Sequence, residues 1–550
     1  MKKIQVLVAV MLLGFATSCK EQLDVKNPNQ PTVSSANTES GIINFAQGGV
    51  YVNGFREIKA DLYDGIPGYF WSGAIGVHEL MGDVISEEAA NQFGNQIGAP
   101  DYVILDDGSR VLNPNAPNTQ IALIRQVNVN ANQGANPLFH EWWYMYSMNS
   151  QMNKVLELSE QVAFAGDAAT KKAVIQAWVY WWKGFAYSRI GSMYYAGIIN
   201  SATNGTNGNF VSKEKMIEEA NANLDKAAAL LTTIGTAADY APMMARIIPD
   251  VNQVGKGVVP TTAMWKRNIN TLKARNLLVN TTTKAMTAAQ WTQVLTLTND
   301  GVTASDYVFT ARSNTNGDVL APLTGTVAAK ATGDPSGGAT YKISERLIQD
   351  YRTGDQRLAN NFTQRATPWI GESSRGNAFN TRWALVDGGK KLPGVITLSD
   401  RTAGATELYL VGSYEENELM KAEALINTGK IEDGLKSVDA VRTAQGAGLA
   451  AVSGKGLTLD QAKEELRRER RVGLAFRGLS FYDARRWGVI DPVASGGGRK
   501  GAVVLDRAGK VNTNATIEYN FLDYWDVPDN ELKYNTAASG SAPTMNPKTK

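Results

Sequence analysis

A single cysteine, Cys19, and two histidines, His78 and His140, are all that 550 residues hold of those two types. One thiol cannot close an internal disulfide, and so few thiol and imidazole groups leave no Cys/His set for zinc and no Cys/His nucleophile pair. Neither histidine sits in an H-E-x-x-H frame. Gly-Lys pairs occur at Gly255, Gly389, Gly429, Gly454 and Gly509, yet none is followed by Ser or Thr, so no P-loop phosphate cradle is present. Charge of one sign is also scarce: 55 Lys and Arg stand against 53 Asp and Glu, without the basic stripe that nucleic-acid binding requires. After Cys19 no apolar run approaches the ~20 residues needed to cross a bilayer. "RSNTNGDV" (312–319) has some flavour of a calcium loop but lacks the terminal acidic ligand of an EF-hand. No metal and no cofactor are expected.

What is present begins at the N-terminus. Lys2 and Lys3, an apolar stretch over 4–15 and the small residues Ala16-Thr17-Ser18 have the layout of a secretory signal peptide, placed directly before Cys19. This pattern resembles a bacterial lipoprotein signal with a relaxed lipobox. The resemblance implies cleavage after residue 18 and acylation of Cys19, palmitate among the chains. A single acyl chain binds membranes only reversibly, whereas two or more anchor stably. Lys20, Glu21 and Asp24 look like the short charged signal that sends some lipoproteins of Bacteroidetes-type bacteria to the outer cell surface. Residues 19–40, rich in Asn, Pro, Ser and Thr, read as a lipidated flexible tether.

Helical periodicity covers much of the first half and residues 407–487. "HEWWYMYSMNSQMNKVLELSE" (140–160) steps through Trp143, Tyr146/Ser147 and Ser150/Gln151 at i, i+3/4 spacing. Residues 171–191 set Ala177, Gly184 and Ala186 among large aromatics, a mixture suited to close helix packing. Ala422, Leu425, Gly429, Gly434 and Val441 fall at tetratricopeptide spacing, with Gly434 where that repeat usually has Ala. Looser pairs join 180–191 to 218–231 and 265–280 to 287–301. The expected fold class is mainly α: an irregular helical scaffold with tetratricopeptide-like helix pairs and long inserted loops. The inserts are placed at about 82–137, at 200–210 and at about 302–406, all rich in Gly, Asn, Thr and Asp.

"TLDQAKEELRRERRVGLAFRGLSFYDARRWG" (458–488) opens with a capping box, Thr458 and Gln461. Its apolar stripe then runs into Glu469-Arg470, so charge must turn outward or be paired. Glu464, Glu465, Glu469 and Asp483 against the arginines predict an ion-pair network fixing this helix to the "RRW" segment. Glu469-Arg470-Arg471, Leu474-Ala475-Phe476, Gly478, Asp483 and Arg486-Trp487 resemble the C-terminal signature of the SusD/RagB family of nutrient-binding outer-membrane lipoproteins. "YWDVPDNEL" (524–532) is similar to a late segment of that family. Gly473, Arg477 and Leu479 depart from the usual pattern, the first two standing where the family tends to have an acid.

The resemblance implies one SusD-like nutrient-binding domain over 41–550. It implies a protein anchored by lipid to the outer membrane and facing outward. There it would capture a glycan, or in some members peptide material, for a SusC-like TonB-dependent transporter, without catalysis. Saccharides pair apolar faces with polar edges, so flat aromatics beside amides and charged groups are the chemistry to seek. Tyr69 and Trp71, in glycine-rich "YDGIPGYFWSGAIG" (63–76), are the first candidates and are expected to be exposed. Trp369 and Trp383 follow, with Arg375 and Arg382 as hydrogen-bonding partners. A glycan-degrading enzyme is the rival reading; it needs two carboxylates at a set separation. Its candidates are Asp83, Glu87, Glu88, Asp106 and Asp107.

Overall fold

The computed structural model describes residues 36–53, 70–71, 74–87, 93–205, 207–312, 341–371, 380–392 and 407–548. The scaffold is a set of helices, most of them packed in one continuous run. They are α1 (Glu39–Tyr51), α2 (Ala74–Met81), α3 (Pro137–Ser159), α4 (Ala168–Met193), α5 (Lys213–Ile234), α6 (Thr262–Val279), α7 (Ala288–Asn299), α8 (Tyr414–Asn427), α9 (Ile431–Ala444), α10 (Leu459–Gly473) and α11 (Ser480–Arg486). Packing runs α1–α3–α4–α5–α6–α7–α8–α9, with α10 across α8 and α9. Among the described residues no helix is long and apolar enough to cross a membrane. The tether's last residues are already structured: Thr38 caps α1 by accepting from the Gly41 N–H.

All three helix pairs anticipated from periodicity are present, as α4/α5, α6/α7 and α8/α9. Small residues set their spacing. A Cβ on Gly184 would sit 2.7 Å from Leu224, so glycine lets α5 seat directly on α4. At Gly434 even alanine's methyl would lie 2.6 Å from Ile426 and 2.8 Å from the Ala422 carbonyl oxygen, which accounts for glycine at the repeat's alanine position. Between α4 and α6, Phe309 receives Trp178, Trp181, Trp182 and Trp265 with ring centroids 5.2–6.1 Å away, the core of the scaffold.

The inserts carry more structure than their composition suggests. β1 (Ile85–Glu87), β2 (Tyr102–Ile104) and β3 (Arg110–Leu112) lie in the first, while β4 (Ala196–Ile198) and β5 (Phe210–Ser212) flank the second. β6 (Thr310–Arg312), β7 (Tyr341–Ile343), β8 (Phe362–Trp369) and β9 (Thr381–Leu385) lie in the third, and β10 (Glu407–Tyr409) follows it. β11 (Arg499–Leu505) and β12 (Val511–Glu518) form a C-terminal hairpin. β2 and β3 extend that hairpin into a four-stranded sheet of order β11-β12-β2-β3, with Val103 opposite Ile517. Most of the calcium-like stretch, 313–319, lies outside the described residues.

The predicted ion-pair network is built, and it is buried. Arg470 spans the Asp483 carboxylate at 2.8 and 3.0 Å; Arg486 bonds Asp483 and grips Glu423 at 2.6 and 2.7 Å. Glu469 meets Arg357 and Arg442. Arg477, where the family has an acid, finds Glu415 at 3.1 Å and the Ser413 hydroxyl at 2.8 Å. Burial opposes charge at Asp83, Glu141 and Asp483, but Arg346, Arg189 and Arg470 respectively outweigh it and hold each carboxyl below its ordinary range. Glu79 behaves oppositely. It accepts the Gly478 and Phe476 N–H groups at 2.7 and 3.2 Å, yet burial pushes its carboxyl up to about 7.

The signs follow by linkage. Depressed carboxyls contribute stability that is present above their ordinary values and lost as pH falls through them. Glu79, raised from 4.5, contributes stability that is full below that value and lost as pH rises through about 7. Thermal melts are expected to show a steep loss of Tm below about pH 4 and a gentler decline between about pH 5 and 7, with Glu79→Gln flattening only the second. A decline between about pH 5 and 7 that persists in Glu79→Gln would assign it to another group.

Candidate functional site

Among the residues singled out from sequence, Cys19, Tyr69 and Arg375 lie outside the described residues. Trp71 does not face solvent as expected. It is 5% exposed, edge-on to Phe70 at 4.7 Å and stacked with Phe185 of α4 at 6.3 Å. The chain turns inward here because the Ile75 N–H bonds back to the Phe70 carbonyl as α2 begins, which lays the ring on the scaffold. Trp71 then forms one wall of a small cavity of about 30 Å³ shared with Arg189, Glu416, Phe476 and Arg477.

Trp369 and Trp383 sit on one hairpin, β8–β9, where Trp369 pairs with Thr381 and Gln364 with Trp383. Both are half-buried. The Lys342 ammonium stands 5.3 Å from the centre of the Trp369 ring, while Trp383 packs against the core. Arg382 is not a free hydrogen-bonding partner: its guanidinium is spent on Glu345 at 2.7 and 3.2 Å.

The rival enzyme's carboxylates are also committed to structure. Asp83 takes Arg346 at 2.7 and 2.9 Å, the Ser344 hydroxyl at 2.9 Å and the Tyr519 hydroxyl at 2.6 Å. Asp106 accepts the Thr513 and Asn514 N–H groups, and Asp107 that of Ser109. Glu87 packs against Gly94, and Glu88 lies outside the described residues. His78 is sealed between Glu141 at 2.7 Å and Arg189 at 3.0 Å; burial holds its pKa below the ordinary value although Glu141 pulls the other way. Among the described residues no group of three His, Cys, Asp or Glu side chains is placed to hold a metal.

The site that does combine saccharide chemistry is a cleft of about 540 Å³ beside the N-terminal half of α3. Asn136 caps α3 through the Leu138 N–H, and Pro137 starts it. The helix then presents Phe139, Trp142, Trp143 and Tyr146, followed one turn on by Ser150 and Gln151. The facing walls are the end of β4 with the loop after it (Ile198, Asn200, Gly205, Asn207) and the short helix Asp529–Tyr534 with Asn535. The aromatic wall is braced internally. Trp142 lies 4.6 Å from Tyr146 and donates its indole N–H to Glu531 at 3.0 Å, and the Tyr146 hydroxyl donates to the Ile198 carbonyl at 3.0 Å.

Beneath the polar wall, the Asn200 carbonyl accepts from Asn149, Asn153 and the Tyr187 hydroxyl at 2.9, 2.9 and 2.8 Å. Buried Lys183 orients both amides by donating to their oxygens, and burial lowers its ammonium pKa to about 8. With the frame fixed from below, polar atoms are left for a guest. Tyr534 is 68% exposed, and neither its hydroxyl nor that of Ser150 bonds to any described residue. At about 540 Å³ the cleft lies within the ~300–1,000 Å³ of typical small-ligand sites and can take a few sugar units. Sequence reasoning placed Trp143, Tyr146 and Ser150 on one helical stripe but took from it only a helix, not a site. The signal was there in its mixture of rings with hydroxyl and amide groups.

Residues 416–546, which hold α8 to α11 and the C-terminal hairpin, match the SusD family. Over that C-terminal quarter the chain is similar to the SusD family. The fold agrees. A SusD-like carbohydrate binding protein from Bacteroides fragilis is similar over 90% of this chain and 97% of its own, at 13% identity and a TM-score of 0.56. Surface glycan-binding protein A from Bacteroides fluxus is similar over 94% and 100%, at 12% identity and 0.56. A SusD superfamily protein from Parabacteroides distasonis is similar over 93% and 100%, at 13% and 0.54. At such identities the likeness is one of fold. No curated protein sequence matches.

Proposed function

We propose that this chain is an outward-facing lipoprotein of the SusD family that captures a saccharide without cleaving it and passes it to a SusC-like TonB-dependent transporter. The observation that carries the reading is the α3 cleft, where aromatic faces and amide edges meet on a braced frame. Two neighbours in fold are described as a carbohydrate binding protein and a surface glycan-binding protein, which supports the same chemistry. The lipobox-like segment ending at Cys19 supports anchoring, with α1 beginning only twenty residues further on at Glu39. A few ring contacts worth about 0.5–1.5 kcal/mol each beyond area burial give affinities in the micromolar to millimolar range. Such binding lets cargo be released.

The test is affinity electrophoresis of the mature chain through gels containing polysaccharides or peptides, with each mixture then assayed for released fragments. Retardation by a polysaccharide without fragments is the expected result. Retardation by peptide alone would make this a peptide-binding lid, and fragments would make it an enzyme.

A further inference from the structure

The charge pattern of the α3 cleft narrows the ligand class. Glu531 is the one ionisable acid or base among the described residues lining it, apart from the phenols. Its carboxylate is already oriented, one oxygen accepting from the Trp142 indole and the other from the Asn535 amide at 2.8 Å. Among the described residues no lysine or arginine lines the walls. Lys183 lies one layer below with its ammonium covered by the Asn149 and Asn153 amide oxygens. A carboxylate or sulfate on a bound chain would therefore meet like charge at Glu531 with no lining cation to pair it. A hydroxyl would meet a spare carboxylate lone pair on one side and the Tyr534 ring on the other.

We propose that the α3 cleft binds a neutral saccharide chain, with Tyr534 as its exposed stacking surface and Glu531 excluding uronate-containing and sulfated polymers. The proposal rests on the saccharide-capture reading and adds to it both the place and the charge class of the ligand.

Starch, dextran, xylan and mannan as neutral probes, with polygalacturonate, alginate and dextran sulfate as anionic ones, separate the possibilities. The mature protein is expected to be retarded by at least one neutral polymer and by none of the anionic ones. Tyr534→Ala and Ser150→Lys, both at exposed positions, are expected to weaken that retardation at least tenfold with Tm unchanged. Glu531→Gln, which keeps an oxygen for the Trp142 indole but removes the negative charge, is expected to weaken the exclusion, so that the variant is retarded by at least one anionic polymer that does not retard the parent.

Several outcomes would overturn the proposal. Neutral binding untouched by both Tyr534→Ala and Ser150→Lys would place the saccharide elsewhere while leaving saccharide capture intact. Retention of the parent by an anionic polymer that Tyr534→Ala abolishes would overturn the charge class alone. Retention by no polysaccharide at all would remove the capture reading and this inference with it.

Discussion

Glu469→Gln is expected to lower stability by about 3–5 kcal/mol, the cost of removing one partner from a buried ion pair. Glu469 is 1% exposed, and its two oxygens serve Arg357 at 2.6 and 3.1 Å and Arg442 at 2.8 Å. Arg357 is also bonded to Asp355, Arg442 to Glu465, and Glu465 in turn to Arg352. Three guanidinium groups thus face three carboxylates, and glutamine leaves one cation uncompensated. Adding Arg442→Met to Glu469→Gln restores the balance, since Arg357–Asp355 and Arg352–Glu465 remain as intact pairs. The double variant is therefore expected to recover most of the loss in a calorimetric melt, while Arg467→Ala on the exposed face of α10 changes little. Equal destabilisation in the single and double variants would show that packing, not charge, is what Glu469 supplies.

The same network shows how far the sequence can be read. The need to pair Glu469 was legible, because an acid at the next step of an apolar helical stripe has few physical outcomes. Its principal partner was not: Arg357 lies 112 residues away, and nothing local marks it. The helix pairs were legible for the same reason that α10 was, since periodicity is a local property. β2 and β3 were not, being strands of three residues whose partner strand starts some four hundred positions on. The cleft failed on the same ground. Trp142 and Tyr146 stood in plain view, but Glu531, the group that turns an aromatic helix face into a site, is 389 residues from Trp142. Trp71 failed differently. Its glycine-rich context was taken to mean exposure, whereas composition reports only how freely a segment turns, and here one backbone hydrogen bond turns it inward.

Trp71→Ala is accordingly expected to cost about 3–5 kcal/mol, as large aromatic truncations in cores do, and to leave polysaccharide retardation in the α3 cleft unchanged. The cost should lie near the top of that range. The ring already borders a cavity, so its loss merges the vacated volume with existing open space that the neighbouring Arg275–Glu416 pair, held at 2.5 Å, cannot collapse to fill. Phe70 and Phe185 would lose the surface that joins the start of α2 to α4. Trp71→Phe, which keeps an aromatic in the slot, is expected to recover at least half of the loss. A melting temperature unchanged in Trp71→Ala, with polysaccharide retention abolished, would return this residue to a binding role. It would mean that the ring swings out from Phe185 to meet ligand.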